Sequence, residues 1–137
     1  DVDSLEGIEY TTEIDGIEQK DRGSALKKQF IFRVPKVLII IFKRFDNHEM
    51  KINKHIDFPV DNLDISDYVL DTREKNTKYS LYALVNHYGN TGGGHYTAHC
   101  KNNGLWYNFN DSNVSVVSDI DELVDESVYI LFYKQKD

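Results

Sequence analysis

Gly94-His95-Tyr96-Thr97-Ala98-His99-Cys100-Lys101, then Asn102-Asn103-Gly104, then Leu105-Trp106-Tyr107-Asn108-Phe109-Asn110-Asp111 is the stretch that decides the fold. Two strand-like runs flank an Asn-Gly pair, the residues that supply the positive φ angles of a tight hairpin turn. A three-residue turn would pair Lys101 with Leu105 and set His95 opposite Asp111. A two-residue turn slips every pair by one, so that His95 faces Ser112 with Asn110 on the diagonal. In either register Asn110 and Asp111 lie within about one cross-strand step of His95, inside hydrogen-bond reach of an imidazole.

A histidine oriented by an amide or carboxylate is the second and third member of a nucleophile, base and orienter set. The nucleophile is what the stretch lacks. Cys100 lies five residues beyond His95 on the same strand, so it points to the opposite sheet face, roughly 16 Å along the chain. It reads as an ordinary packed thiol. The run Gly92-Gly93-Gly94 just before His95 has two readings: a flexible loop, or a slot through which a substrate backbone passes close to the base.

Working outward, Tyr79 to His87 reads as a buried strand, and Gly89 to Gly94 as a stretch in which no regular element persists. Val128 to Tyr133 is a closing strand. Lys36 to Phe45 is β-branched and apolar on both faces, which predicts a central strand covered on two sides, with Lys43-Arg44 as a strand end reaching solvent. Leu63 to Leu70 is a short mixed segment, and Asp71 to Lys78 a charged turn. Ser118 followed by Asp121, with Ile120, Leu123 and Val124 on one face, predicts a helix of two or three turns. Glu13 to Glu18 reads as a hairpin turning at Asp15-Gly16. The sum is an antiparallel, strand-rich α+β layer in a single domain.

Composition narrows the function. The 137 residues are 40% hydrophobic and 12% aromatic, enough for a packed core. Sixteen Lys and Arg against 23 Asp and Glu give a net charge of −7, which disfavours nucleic acid as a partner. The basic residues concentrate in 27–54, where eight Lys or Arg meet two acidic residues. One cysteine excludes a disulfide scaffold and points to a reducing compartment, cytoplasmic or nuclear. Val37 to Phe42 is far too short to span a membrane. His48 and His55 stand in no metal-ligand pattern.

Tyr82-Ala83-Leu84-Val85-Asn86-His87-Tyr88-Gly89, Gly94-His95-Tyr96-Thr97-Ala98, Trp106 to Val114 and Tyr129-Ile130-Leu131-Phe132-Tyr133 together resemble the histidine box of the ubiquitin-specific proteases. Val34 to Phe45 resembles the strand after that family's fingers region. The resemblance implies the antiparallel-sheet palm of a papain-like cysteine protease over about 29–137, with part of the fingers over about 1–28. It implies a deubiquitinase that hydrolyses isopeptide or peptide bonds after the C-terminal glycine of ubiquitin. His95 would be the general base, Asn110 its orienting residue, and Asp111 a polar neighbour sharing the orienting or oxyanion-stabilising role. Tyr96 would wall the channel for the ubiquitin tail, Gly93 and Gly94 would permit its close approach, and His87 would join the substrate-binding set, although as a residue it reads as a strand-end polar group.

Two departures from the family pattern shape the expectations. The family's cysteine box is absent from the 137 residues, so the nucleophile would come from an N-terminal cysteine-bearing portion of the same enzyme, with ubiquitin and ubiquitinated proteins as the other partners. Tyr10 to Gln29, at the place of the fingers, holds no cysteine, so no zinc is expected. Thiolate and imidazole chemistry calls for no cofactor. The alternatives are an inactive ubiquitin-binding module that keeps the protease fold, and a scaffold domain without ubiquitin contact.

Overall fold

The computed structural model describes residues 3–5, 10–14, 17–21, 25–45, 50–70, 76–90 and 92–137, with side chains from residue 28 onward. Among them the chain forms strands β1 (Asp3–Leu5), β2 (Tyr10–Ile14), β3 (Ile17–Asp21), β4 (Ala25–Lys27), β5 (Val37–Ile41), β6 (Leu63–Asp64), β7 (Lys78–Asn90), β8 (Gly93–Asn102), β9 (Leu105–Asn110), β10 (Asn113–Val116) and β11 (Val128–Gln135). One antiparallel sheet runs β10-β9-β8-β7-β11-β5, with β6 also on β7. β1 with β4, and β2 with β3, form two separate ladders. The latter is the hairpin expected around Asp15-Gly16, with Glu13 opposite Glu18. Asp15, Gly16, His48, Thr91 and residues 71–75 of the expected charged turn lie outside the described residues.

The sheet folds as its sequence demands where the alternation is clear. β7 and β11 contribute Leu81, Leu84, Leu131 and Tyr133 to the core, β9 adds Trp106, and Ile65 and Leu123 close over them from the connections. Two buried tyrosines tie loops to the sheet: Tyr79 Oη donates to the Pro35 carbonyl, and Tyr133 Oη to the Pro59 carbonyl at 2.7 Å. The turn between β8 and β9 has two residues, Asn103 (φ 49°) and Gly104 (φ 84°), and Asn102 pairs with Leu105. Of the two registers the sequence allows, the two-residue one is present.

Several expectations are corrected. β5 is an edge strand; Leu38 and Ile40 pack on the core while Val37, Ile39 and Ile41 are exposed, because within these residues nothing covers the second face of the sheet. Arg44 does not reach solvent: it is 2% exposed, since its guanidinium is drawn in by the carbonyls of Val128, Ile52 and Lys54, to which it donates. The predicted helix is a single 3-10 turn, Ile120–Leu123. Asp119 rather than Ser118 caps it, and Asp125 accepts from the Ser127 amide directly after it, so short carboxylates draw the backbone into turns where a helix would need it. The Leu63 to Leu70 segment resolves into β6 and a second 3-10 turn, Ser66–Tyr68. β10 was not anticipated. The architecture is a sheet-dominated one of the expected α+β class.

A polar pocket interrupts the core side of the sheet. His99 is buried on β8, and Asn86 Nδ2 donates to its Nδ1 at 3.2 Å. Burial pushes the His99 pKa below its ordinary value near 6.5, against the opposing pull of Glu122 and Asp125. The unfolded chain therefore takes up a proton at higher pH than the folded one. This contribution to stability is complete above about pH 6.5 and is lost as the pH falls below it, with a slope of at most about 1.4 kcal/mol per pH unit for one histidine. Thermal unfolding at pH 7.5, 6.5 and 5.5 should show a falling midpoint, and His99→Gln should flatten that dependence. A midpoint indifferent to pH over this range would contradict the assignment.

Candidate active site

The β7–β8 hairpin sets where each side chain of the site points. Tyr88 pairs with His95 and His87 with Tyr96, and directly opposed residues share a face while successive ones alternate. His95 and Tyr88 therefore stand on one face of the sheet, and Tyr96 and His87 on the other. The β8–β9 ladder ends at Ala98 and Phe109, one step before Asn110. Asp111 (φ 51°) then turns the chain into β10, where Asn113 pairs back with Asn110. A left-handed backbone suits Asp here because its short polar side chain tolerates it.

This geometry brings His95 and Asn110 together on the diagonal. Asn110 Oδ1 lies 2.8 Å from His95 Nε2. The amide oxygen only accepts, so Nε2 carries the hydrogen and donates it. Nδ1 is left as the basic nitrogen, on an exposed side chain. Asp111 is exposed and, among the described residues, forms no bond to His95. Cys100 is on the opposite face and half-buried, and burial pushes its thiol pKa up, which keeps it protonated and unreactive. The site is thus an exposed imidazole held by an amide oxygen, with no thiol of the described residues beside it.

The other residues of the predicted site divide. Tyr96 is 56% exposed, and its ring lies 4.6 Å from that of His87. His87 is only 4% exposed, its ring enclosed by Phe45, Tyr96 and Tyr129. Burial, then the neighbouring Lys51 ammonium, hold its pKa below the ordinary histidine value. The glycines also separate. Strand pairing persists through them, Gly89 opposite Gly94 and Asn90 opposite Gly93, contrary to the expected break. A Cβ on Gly94 would meet His87 Nε2 at 2.2 Å and the Tyr88 carbonyl oxygen at 2.7 Å, so packing inside the chain already requires glycine there. Among the described residues a Cβ on Gly93 would meet nothing within 4 Å. Among the described residues, the open space beside His95 is therefore at Gly93.

Two basic residues that no motif flags support this end of the sheet. Lys51 donates from its ammonium to the His87 carbonyl, and Arg44 holds the 52–54 segment that carries Lys51 by donating from Nη1 to the Ile52 and Lys54 carbonyls at 3.0 and 2.8 Å. Their partners are backbone oxygens, which leave no signature in residue spacing.

Comparison with known proteins gives a consistent result. A family model described as ubiquitin carboxyl-terminal hydrolase matches residues 6–133. Ubiquitin carboxyl-terminal hydrolase 8 of Arabidopsis thaliana is 42% identical over 121 residues, which is 85% of this chain and 14% of that protein. Ubiquitin carboxyl-terminal hydrolase 15 of Homo sapiens is 40% identical over 123 residues, 86% of this chain and 12% of that one. Among solved structures, a chain of the yeast SAGA DUB module matches all of this chain and 31% of its own length at 29% identity and a TM-score of 0.79. A chain of the SAGA DUB module bound to monoubiquitin matches all of it and 30% of its own length, at 31% identity and a TM-score of 0.76. The chain thus spans 12–14% of these two curated relatives and under a third of the solved chains.

Proposed function

The chain belongs to the ubiquitin carboxyl-terminal hydrolase family, and from that premise we propose that it carries the general base of a thiol-dependent deubiquitinase. The substrate is an isopeptide or peptide bond after the C-terminal glycine of ubiquitin. The nucleophilic cysteine is supplied from outside these 137 residues. The observation that carries the reading is the 2.8 Å bond from His95 Nε2 to Asn110 Oδ1, which leaves Nδ1 as the basic nitrogen. Solved relatives bound to monoubiquitin and to ubiquitin aldehyde support ubiquitin as the ligand.

The steps follow from that tautomer. Nδ1 takes the proton of the incoming thiol, and the thiolate attacks the carbonyl carbon of the terminal glycine. The imidazolium, steadied by the Asn110 oxygen, returns its proton to the departing amine, and a thioester remains. Water, deprotonated by the same Nδ1, then releases the ubiquitin carboxylate and the thiol. The open side of Gly93 and the exposed Tyr96 give the glycine-ended tail its approach.

A ubiquitin bearing a C-terminal electrophile tests the proposal in the full-length protein. A covalent adduct is expected. Reversible binding without an adduct would support the inactive binding module instead, and no binding at all the scaffold. Asn110→Ala should lower kcat by about 10- to 100-fold, because a base whose orientation is loosened loses that much from positioning alone. Asp111→Ala should have the smaller effect. The reverse order in steady-state assays would place the orienting role on Asp111.

A further inference from the structure

We infer that His87 is a positioning residue for the base: its enclosed imidazole is a wedge that fixes the backbone at Gly94 and thereby the direction of His95. The inference rests on the proposed role of His95 and adds a residue that acts through another.

His87 sits on the face opposite His95, so it does not meet the reacting atoms. Its position is nevertheless defined on every side. The backbone amide donates to the Ser127 carbonyl at 2.8 Å, and the backbone carbonyl accepts from the Lys51 ammonium. The ring packs 4.6 Å from Tyr96 and 5.8 Å from Phe45, centroid to centroid. The remaining side is Gly94, with Nε2 and Cδ2 at 2.2 and 3.1 Å from where a Cβ would stand. Gly94 and Tyr96 flank His95 in sequence, so the ring meets the residues on both sides of it: the Tyr96 ring directly, and Gly94 where a Cβ would stand. Such support is needed there, because the pairing of β8 with β9 stops at Ala98 and Phe109, which leaves His95 held in the sheet from the β7 side alone.

The choice of residue fits the task. Among the described residues Nδ1 is buried without a partner, a cost that an apolar side chain would avoid. A five-membered ring is the smallest aromatic wedge available, and a six-membered one in the same rotamer would press further into the Gly94 backbone.

The test uses the full-length protein with a ubiquitin C-terminal amide substrate, the active sites being titrated with the electrophilic ubiquitin probe. His87→Ala should lower kcat per titrated site by about 10- to 100-fold, with KM and ubiquitin affinity changed by no more than about twofold. His87→Asn, which retains a planar polar group at Nδ1 and withdraws the Nε2 edge, should behave alike and guards against a failure of the alanine variant to fold. An unchanged kcat per titrated site, with only the number of competent sites reduced, is the signature of a merely structural role and would overturn the inference. A double-mutant cycle on thermal stability supplies the second arm. Gly94→Ala should be clearly less damaging in a His87→Ala background than in the parent, with the Tyr88 carbonyl accounting for what remains, and strict additivity would overturn the wedge. This arm needs no turnover: a protein that cleaves no ubiquitin substrate defeats the proposed function, while the cycle still decides on His87.

Discussion

Replacing His95 by Ala should abolish turnover of a ubiquitin C-terminal amide, by about 10³-fold or more, while ubiquitin still binds within about twofold of the parent. The magnitude is that of removing a general base and acid from both halves of an acyl transfer. Binding should survive because His95 contributes one exposed side chain at the end of β8, and the sheet does not depend on it: its only hydrogen bond among the described residues is to Asn110. Steady-state kinetics and a binding isotherm on the same preparation check both halves of this prediction. Appreciable residual cleavage would remove His95 from the mechanism, and loss of binding in proportion to turnover would make it a contact residue.

Replacing Arg44 by Ala should cost about 3 kcal/mol of stability. Arg44 Nε donates to the Val128 carbonyl at 2.6 Å, and Nη1 to the carbonyls of Ile52 and Lys54. The guanidinium also lies 5.4 Å over the Phe42 ring. Burial pushes its pKa down and the carboxylates of Asp125 and Glu126 push back, and it remains charged at neutral pH. Truncation leaves the buried Val128 carbonyl without its side-chain donor and opens a void between β11 and the 52–54 segment. At a typical urea slope of about 1.5 kcal/mol per molar for a domain of this size, the midpoint should fall by about 2 M. Arg44→Lys should recover only part of this, because a single ammonium cannot span carbonyls on two segments. A shift below about 0.5 M would show that the 52–54 segment is held by something other than Arg44.

What the sequence discloses and what it hides follow a physical division. Asn103-Gly104 marks a turn, and in either register that the turn allows Asn110 lies within about one cross-strand step of His95; each step is local, so the pair is readable before any coordinates. β7 and β11 are similarly legible from dense apolar and aromatic runs. β5 misleads because a strand apolar on both faces looks the same whether or not this chain supplies the second cover. Arg44, Lys51 and His87 escape because their partners are backbone carbonyls and a glycine Cα, brought near by folding across 36 residues from Lys51 to His87 and 84 from Arg44 to Val128. The glycine run shows the same limit. Spacing marks Gly92 to Gly94 as permissive, but only the folded neighbours separate Gly94, which packing requires, from Gly93, which faces open space.

The proposed function requires that Asn110 hold the His95 imidazole with hydrogen on Nε2, leaving Nδ1 as the base. Nitrogen-15 NMR of the histidine ring at neutral pH, with the His95 signals assigned by loss in His95→Ala, reads this directly. A protonated Nε2 and an unprotonated Nδ1 are expected, with the preference weakening in Asn110→Ala. A ring protonated on Nδ1 in the parent protein, or one indifferent to residue 110, would contradict it.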